Sequence, residues 1–161
     1  MTGKLVLASG AFDLVHYGHI RFLEEAKMAG GDGARLVVVV ARDVNVEASK
    51  GKKPIIPENQ RRAVVESLKP VDEAILGYED MSIVDTIKRL KPDIIAVGYD
   101  QGYVENEVKK IVDSEKMQTR IIRVGRFGPA DLDSTSKIKR KILNEGPVAV
   151  KRSIDQNSKH N

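Results

Sequence analysis

The chain has 161 residues, no cysteine, 27 lysines and arginines against 23 acids, a net charge of +4 and a hydrophobic fraction of 41%. That excludes disulfides, thiolate metal sites and a cysteine nucleophile, and no apolar run approaches the roughly 20 residues needed to span a bilayer. Aromatics make up 4%, too few for a basic surface that stacks on bases, so small polyanions such as nucleotides are the favoured partners, with no nucleic acid and no membrane. The length fits one domain, expected over residues 1–146, followed by a polar tail over 147–161; the N-terminus runs straight into a strand, and a cytoplasmic location is expected.

Leu5-Val6-Leu7-Ala8 is an apolar run that predicts a buried strand. Ile20, Leu23 and Ala26 fall on one face of a following helix. Between them lies Ser9-Gly10-Ala11-Phe12-Asp13-Leu14-Val15-His16-Tyr17-Gly18-His19, a strand-to-helix crossover with glycines where the backbone turns or is approached closely. His16 and His19 are three apart at the helix start and can share a face. The unpaired N–H groups and partial positive charge of that helix end favour an anion, and two imidazoles beside it suit phosphate. The alternative is a structural pair of histidines.

Gly30-Gly31-Asp32-Gly33 ends the first helix. Leu36-Val37-Val38-Val39-Val40-Ala41 is a continuous apolar run, expected of a parallel strand buried on both faces. Arg42 to Pro57 is expected to be a polar loop containing Lys50, Gly51, Lys52 and Lys53. A helix starts at Pro57-Glu58 and Pro70 stops it. Glu73-Ala74-Ile75-Leu76-Gly77 is the third strand; Ser82 is expected to cap the next helix. Asp93 to Gly98 forms the fourth strand, about 104–115 a helix, and Arg120 to Val124 the fifth strand. A loop with Gly125, Gly128 and Pro129 leads to Ser134-Thr135-Ser136, an N-cap cluster before a last helix. The alternation predicts an α/β fold, a doubly wound parallel five-stranded sheet with helices on both faces. Its site belongs at the carboxyl ends of the strands, where Gly10-Ala11-Phe12-Asp13, Arg42, Gly98-Tyr99-Asp100 and Gly125-Arg126 gather.

The stretch G-A-F-D-x-x-H-x-G-H resembles the signature of the HxGH nucleotidyltransferase superfamily, and its two histidines after Phe12-Asp13 resemble the cytidylyltransferases and FAD synthetases. Ala11 stands where that family more often has Thr, which removes a hydroxyl and leaves the backbone N–H. Ala41-Arg42-Asp43, Lys53-Pro54-Ile55-Ile56-Pro57, Lys69-Pro70-Val71-Asp72 and Gly98-Tyr99-Asp100-Gln101 are similar to the archaeal FAD synthetases. The resemblance runs from Lys4 to about Leu143.

It implies a Rossmann-like nucleotidyltransferase that moves AMP from ATP to FMN and releases pyrophosphate. The alternatives are a CTP-dependent cytidylyltransferase acting on a small phosphate such as glycerol 3-phosphate, and a nucleotide-binding module without turnover. Such transfer is positioning plus neutralisation of charge at the reacting phosphorus, without a carboxylate dyad. The implied catalytic residues are His16, His19, Lys52 and Arg126. Gly10, Ala11, Phe12, Tyr17, Gly18, Gly98, Asp100, Ser134 and Thr135 join His16, His19 and Arg126 at the nucleotide, with Asp100 accepting from a ribose. Asp13, Lys53, Arg61 and Ile56 are placed at the acceptor, with Ile55-Ile56-Pro57 as an apolar wall for a flavin ring.

Which of Lys50, Lys52 and Lys53 reaches the phosphates stays open, and Arg62 is expected on the surface. In the last element Asp133-Ser134-Thr135-Ser136 follows an insertion, Phe127 to Leu132, and Asp133 would repel an anion if it faced the site. A divalent cation, Mg²⁺, is expected on the nucleotide phosphates with no protein metal site. Relatives in the resembled group are often dimers, so a homodimer stays open.

Overall fold

The computed structural model describes residues 3–80, 82–127 and 132–145. Strands β1 (Leu5–Gly10), β2 (Arg35–Val40), β3 (Glu73–Leu76), β4 (Ile94–Gly98) and β5 (Arg120–Val124) form one sheet in the order β3-β2-β1-β4-β5. Every neighbouring pair is parallel. The helices are α1 (Tyr17–Ala29), α2 (Asp43–Lys50), α3 (Glu58–Glu66), α4 (Val84–Leu90) and α5 (Gly102–Ser114), then α6 over 135–145.

Successive strand side chains point to opposite faces, and the core divides accordingly. Val6 and Ala8 of β1 and Leu36, Val38 and Val40 of β2 pack with Leu23 and Ala26 of α1 and Val65 of α3. Leu7, Val37 and Val39 face the other way and pack with Ile87 of α4 and Val108, Ile111 and Val112 of α5. Both sides of the sheet are therefore covered, which is why β2 reads as an unbroken apolar run rather than an alternating one. β2 and β3 extend from β1 in one direction and β4 and β5 in the other, so the strand order reverses between β1 and β4.

Two local expectations fail. Residues 43–50 are helix α2, not loop. That helix buries only Val46, so no apolar period announces it, and it closes on Gly51 at φ 72°, a left-handed position suited to glycine. Ser82 does not cap α4: the helix starts at Val84, with Ile83 as its N-cap and no side-chain cap bond. The expected tail, with the boundary at 146, lies outside the described residues.

Candidate active site

β1 ends at Gly10, and the chain turns sharply to reach α1. Phe12 and Leu14 hold φ at 53° and 49°, unusual for residues with a side chain. The turn drives the Phe12 ring into the core, where it is 3% exposed, against Gly10, whose missing Cβ would stand 2.9 Å from that ring. Phe12 was expected at the nucleotide; its ring lies beneath the site and supports the His19 imidazole, with centroids 5.3 Å apart.

His16 is the N-cap of α1, in extended conformation. Its Nδ1 accepts from the Gly18 N–H at 3.1 Å, and His19 Nδ1 accepts from the His16 N–H at 3.3 Å. A backbone N–H can only donate, so both Nδ1 atoms are unprotonated and each neutral ring carries its proton on Nε2. The rings stack with centroids 3.9 Å apart. Burial pushes the His19 pKa down to about 3, and the neighbouring His16 and Lys50 charges add to that. Burial also lowers His16, against the opposing pull of Asp133. At neutral pH the pair is two uncharged imidazoles, each able to donate from Nε2.

The α6 start meets the α1 start here. A Cβ on Gly18 would lie 3.0 Å from the His16 ring and 3.3 Å from the Asp133 carbonyl oxygen, so a side chain at position 18 would crowd both. Ser134 Oγ accepts from Lys137 N–H at 3.3 Å as the expected cap, and Thr135 Oγ1 donates to the Asp13 carbonyl at 2.6 Å. α1 has no acid in its first turn, but the expected unpaired N–H groups are partly spent: Gly18 N–H donates to His16 Nδ1 and His19 N–H to the His16 carbonyl, so the helix end offers an anion mainly its partial positive charge.

Asp133 does not present a bare negative charge. Its carboxylate pairs with Arg126 and with Lys137, the latter at 2.7 Å, and both cations hold it well below the usual carboxylate range. Arg126 is 47% exposed, its Cζ 5.8 Å from the centre of the Tyr99 ring. It therefore lines the open side of the β4 and β5 ends.

Two expected acceptor residues lie in the floor instead. Asp13 is 6% exposed; its carboxylate accepts from the Ile55 and Ile56 N–H groups, both at 3.0 Å, and from Lys139 Nζ at 3.0 Å. Burial alone would raise its pKa, but these donors outweigh it and hold Asp13 below the ordinary value. Arg61 has a fully buried side chain. It donates to the carbonyls of Ile56, Ala11 and Ala41 and pairs with Asp43 at 2.7 Å. These two residues lock the 52–57 segment, the β1 turn and the β2 end together, and in this arrangement neither offers a surface to an acceptor. Arg42 is committed likewise, to the Gly77 carbonyl and to Glu58.

The rim differs. Lys50, Lys52 and Lys53 are exposed, and Lys50 is near enough to act on His19 electrostatically. Ile55 is 60% exposed and Ile56 half-buried, both held by Asp13 through their amides. Asp100 and Tyr17 are exposed, Asp100 with its carboxylate over Gly98. Among the described residues no cluster of histidines and carboxylates can hold a metal ion. Gln101 was not among the expected site residues, although it bonds the β1 end to the β4 end; the sequence carried it only inside the Gly98–Gln101 stretch.

The paired imidazoles stand on a helix N-terminus at the reversal point of a doubly wound sheet, where such folds open their ligand crevice. The chain belongs to the cytidylyltransferase-like family, whose profile matches residues 7–141. It is 50% identical over 139 residues to an FAD synthase from Methanothermobacter marburgensis, covering 86% of this chain and 85% of that one. An FAD synthase from Methanobrevibacter ruminantium is 46% identical, covering 86% and 91%. Among solved structures, a lipopolysaccharide core biosynthesis protein from Thermoplasma volcanium superposes with a TM-score of 0.70 at 40% identity, over 78% of this chain and 99% of that one.

Proposed function

We propose that this chain is an FMN adenylyltransferase that makes FAD. A phosphate oxygen of FMN attacks the α-phosphorus of ATP, the bond from that phosphorus to the bridging oxygen breaks, and pyrophosphate leaves. The acceptor is already ionised, so no strong base is needed. The observation that carries this reading is the 50% identity to an FAD synthase across 86% of the chain; the family profile, over residues 7–141, spans the histidine crossover.

The geometry supports the chemistry. Charge accumulates on the phosphoryl oxygens as the new bond forms and the old one breaks. The two Nε2–H donors and the positive end of α1 are fixed before the reaction and need no reorganisation when that charge develops. Lys50, Lys52, Lys53 and Arg126 supply positive charge from the rim, with Lys52 and Arg126 assigned to the triphosphate. Asp100 takes the ribose, Lys53 borders the flavin phosphate, and Ile56 borders the flavin ring. A divalent cation carried on the triphosphate would supply further neutralisation, and the donor set fits that arrangement: Asp13 is bound to amides and Lys139, and Asp133 to Arg126 and Lys137. No helix among the described residues is long and apolar enough to cross a membrane.

The test is incubation with Mg²⁺, ATP and FMN. FAD and pyrophosphate formed in equal amounts support the reading. Transfer from CTP to glycerol 3-phosphate with no FAD would replace the substrates, and no transfer with any nucleotide would leave a binding module. Light scattering on the same sample measures whether the chain forms the homodimer that the resemblance leaves open.

A further inference from the structure

The strand pairing at the sheet's reversal point ends early. β1 pairs with β2 as far as Gly10 opposite Val40, and β4 pairs with β5 as far as Gly98 opposite Val124. Between β1 and β4, however, the pairing stops at Ala8 opposite Ala96. Beyond that point the two strand ends part, and the Gln101 carboxamide bridges them. Its Oε1 accepts from the Gly98 N–H at 2.7 Å, and its Nε2 donates to the Ser9 carbonyl at 3.1 Å. One side chain takes up a backbone donor on β4 and a backbone acceptor on β1 that the split leaves without a ladder partner.

We propose that Gln101 is a positioning residue that sets the width of the nucleotide cleft. The reversal point of a doubly wound sheet is where its ligand crevice opens. Ser9 immediately precedes the Gly10–His19 crossover, and Gly98 immediately precedes Tyr99 and Asp100. The span of a carboxamide thus fixes the distance between the histidine turn, which holds the phosphates, and the Asp100 turn, which holds the ribose. Only a side chain with a donor and an acceptor on one planar group satisfies both contacts. Close packing supports a fixed spacer: a Cβ on Gly98 would stand 3.3 Å from Gln101 Oε1 and 3.2 Å from Asp100 Oδ1. Asp100 and Gln101 therefore seat together on Gly98. On the acceptor side, the 52–57 segment is held by Asp13 and has no such contact with Gln101. Gln101 should consequently act on ATP and leave FMN alone.

This inference rests on the nucleotide side of the proposed function, so its test reads binding separately from turnover. Two variants divide the possibilities. Gln101→Glu keeps an oxygen for the Gly98 N–H and places a charged oxygen against the Ser9 carbonyl; Gln101→Met keeps the length and makes neither bond. ATP affinity is measured by calorimetry, FMN affinity by quenching of flavin fluorescence, and folding by circular dichroism and Tm. Both variants should stay folded and weaken ATP about tenfold, with FMN within about twofold of the parent and the ATP effect appearing in KM more than in kcat. ATP binding within twofold of the parent in Gln101→Met, or parallel loss of ATP and FMN, would overturn the proposal. If Gln101→Glu does not fold, Gln101→Met decides. Should the parent chain form no FAD, the acceptor assignment fails while the ATP affinities still judge Gln101.

Discussion

Arg61 and Arg126 bear the same guanidinium group, and the resemblance places Arg61 at the acceptor and Arg126 at the nucleotide, yet the structure uses them oppositely. Arg61 is sealed, with its donors spent on three carbonyls and Asp43. Arg126 is half-exposed over Tyr99, tied to the solvent-facing rim by one carboxylate. The same contrast separates Asp13 from Asp100, and Arg42 from Lys52. A charge in a motif does not say whether it meets a ligand; the use already made of its hydrogen-bonding groups does. The floor holds three loops in register beneath the rim and the histidines.

Breaking the floor should produce the largest effect. Arg61→Met leaves three part-buried carbonyls without their donor and Asp43 without its partner, which costs about 3 kcal/mol and lowers Tm by roughly 6–12 °C for a chain of this size. A variant that melts with the parent but loses turnover would move Arg61 from the floor into the site.

The histidines should show the reverse pattern. In His19→Asn the side-chain oxygen can still accept from the His16 N–H, but the Nε2 donor is gone. Steady-state kinetics should show kcat down about a hundredfold or more, with Tm changed by only a few degrees. Near-parental turnover would remove His19 from the chemistry.

On the rim, replacing Lys52 and Lys53 together with Ala should raise KM for ATP and flatten its dependence on salt, because exposed charges act through a screened field. Melting should hardly change, as surface substitutions of this kind stay within about 0.5 kcal/mol. Unaltered KM and salt slope would give the phosphates to Lys50 and Arg126.

A smaller effect sharpens the contrast through pH. His19 stays neutral in the folded chain down to about pH 3, while in the unfolded chain it takes up a proton below about 6.5. Between those values the unfolded state binds more protons, so stability rises with pH across the window and is lost on acidification. His19→Asn should show a shallower loss between pH 6.5 and 4 in denaturant titrations. Asp13, depressed in the fold, contributes at still lower pH, above its folded value, in parent and variant alike.

Much of the fold was legible because a parallel sheet announces itself in runs such as Leu36 to Val40. The histidine crossover was legible because its residues are contiguous. Helix α2 was not, since one buried valine makes no period. The split between floor and rim was not, because Arg61 finds Ala11 fifty residues away and Lys139 finds Asp13 across 126 residues. Nor does spacing reveal ring tautomers, which depend on which backbone N–H groups each Nδ1 meets.

The central claim is that two neutral imidazoles with protons on Nε2 face the phosphates. Long-range ¹H–¹⁵N NMR spectra of the histidine rings, followed from pH 7.5 to 4.5, test it directly. The expected result is Nε2–H for both His16 and His19, with His19 remaining neutral throughout that range. A His19 ring protonated on Nδ1, or one that titrates near pH 6.5, would contradict it.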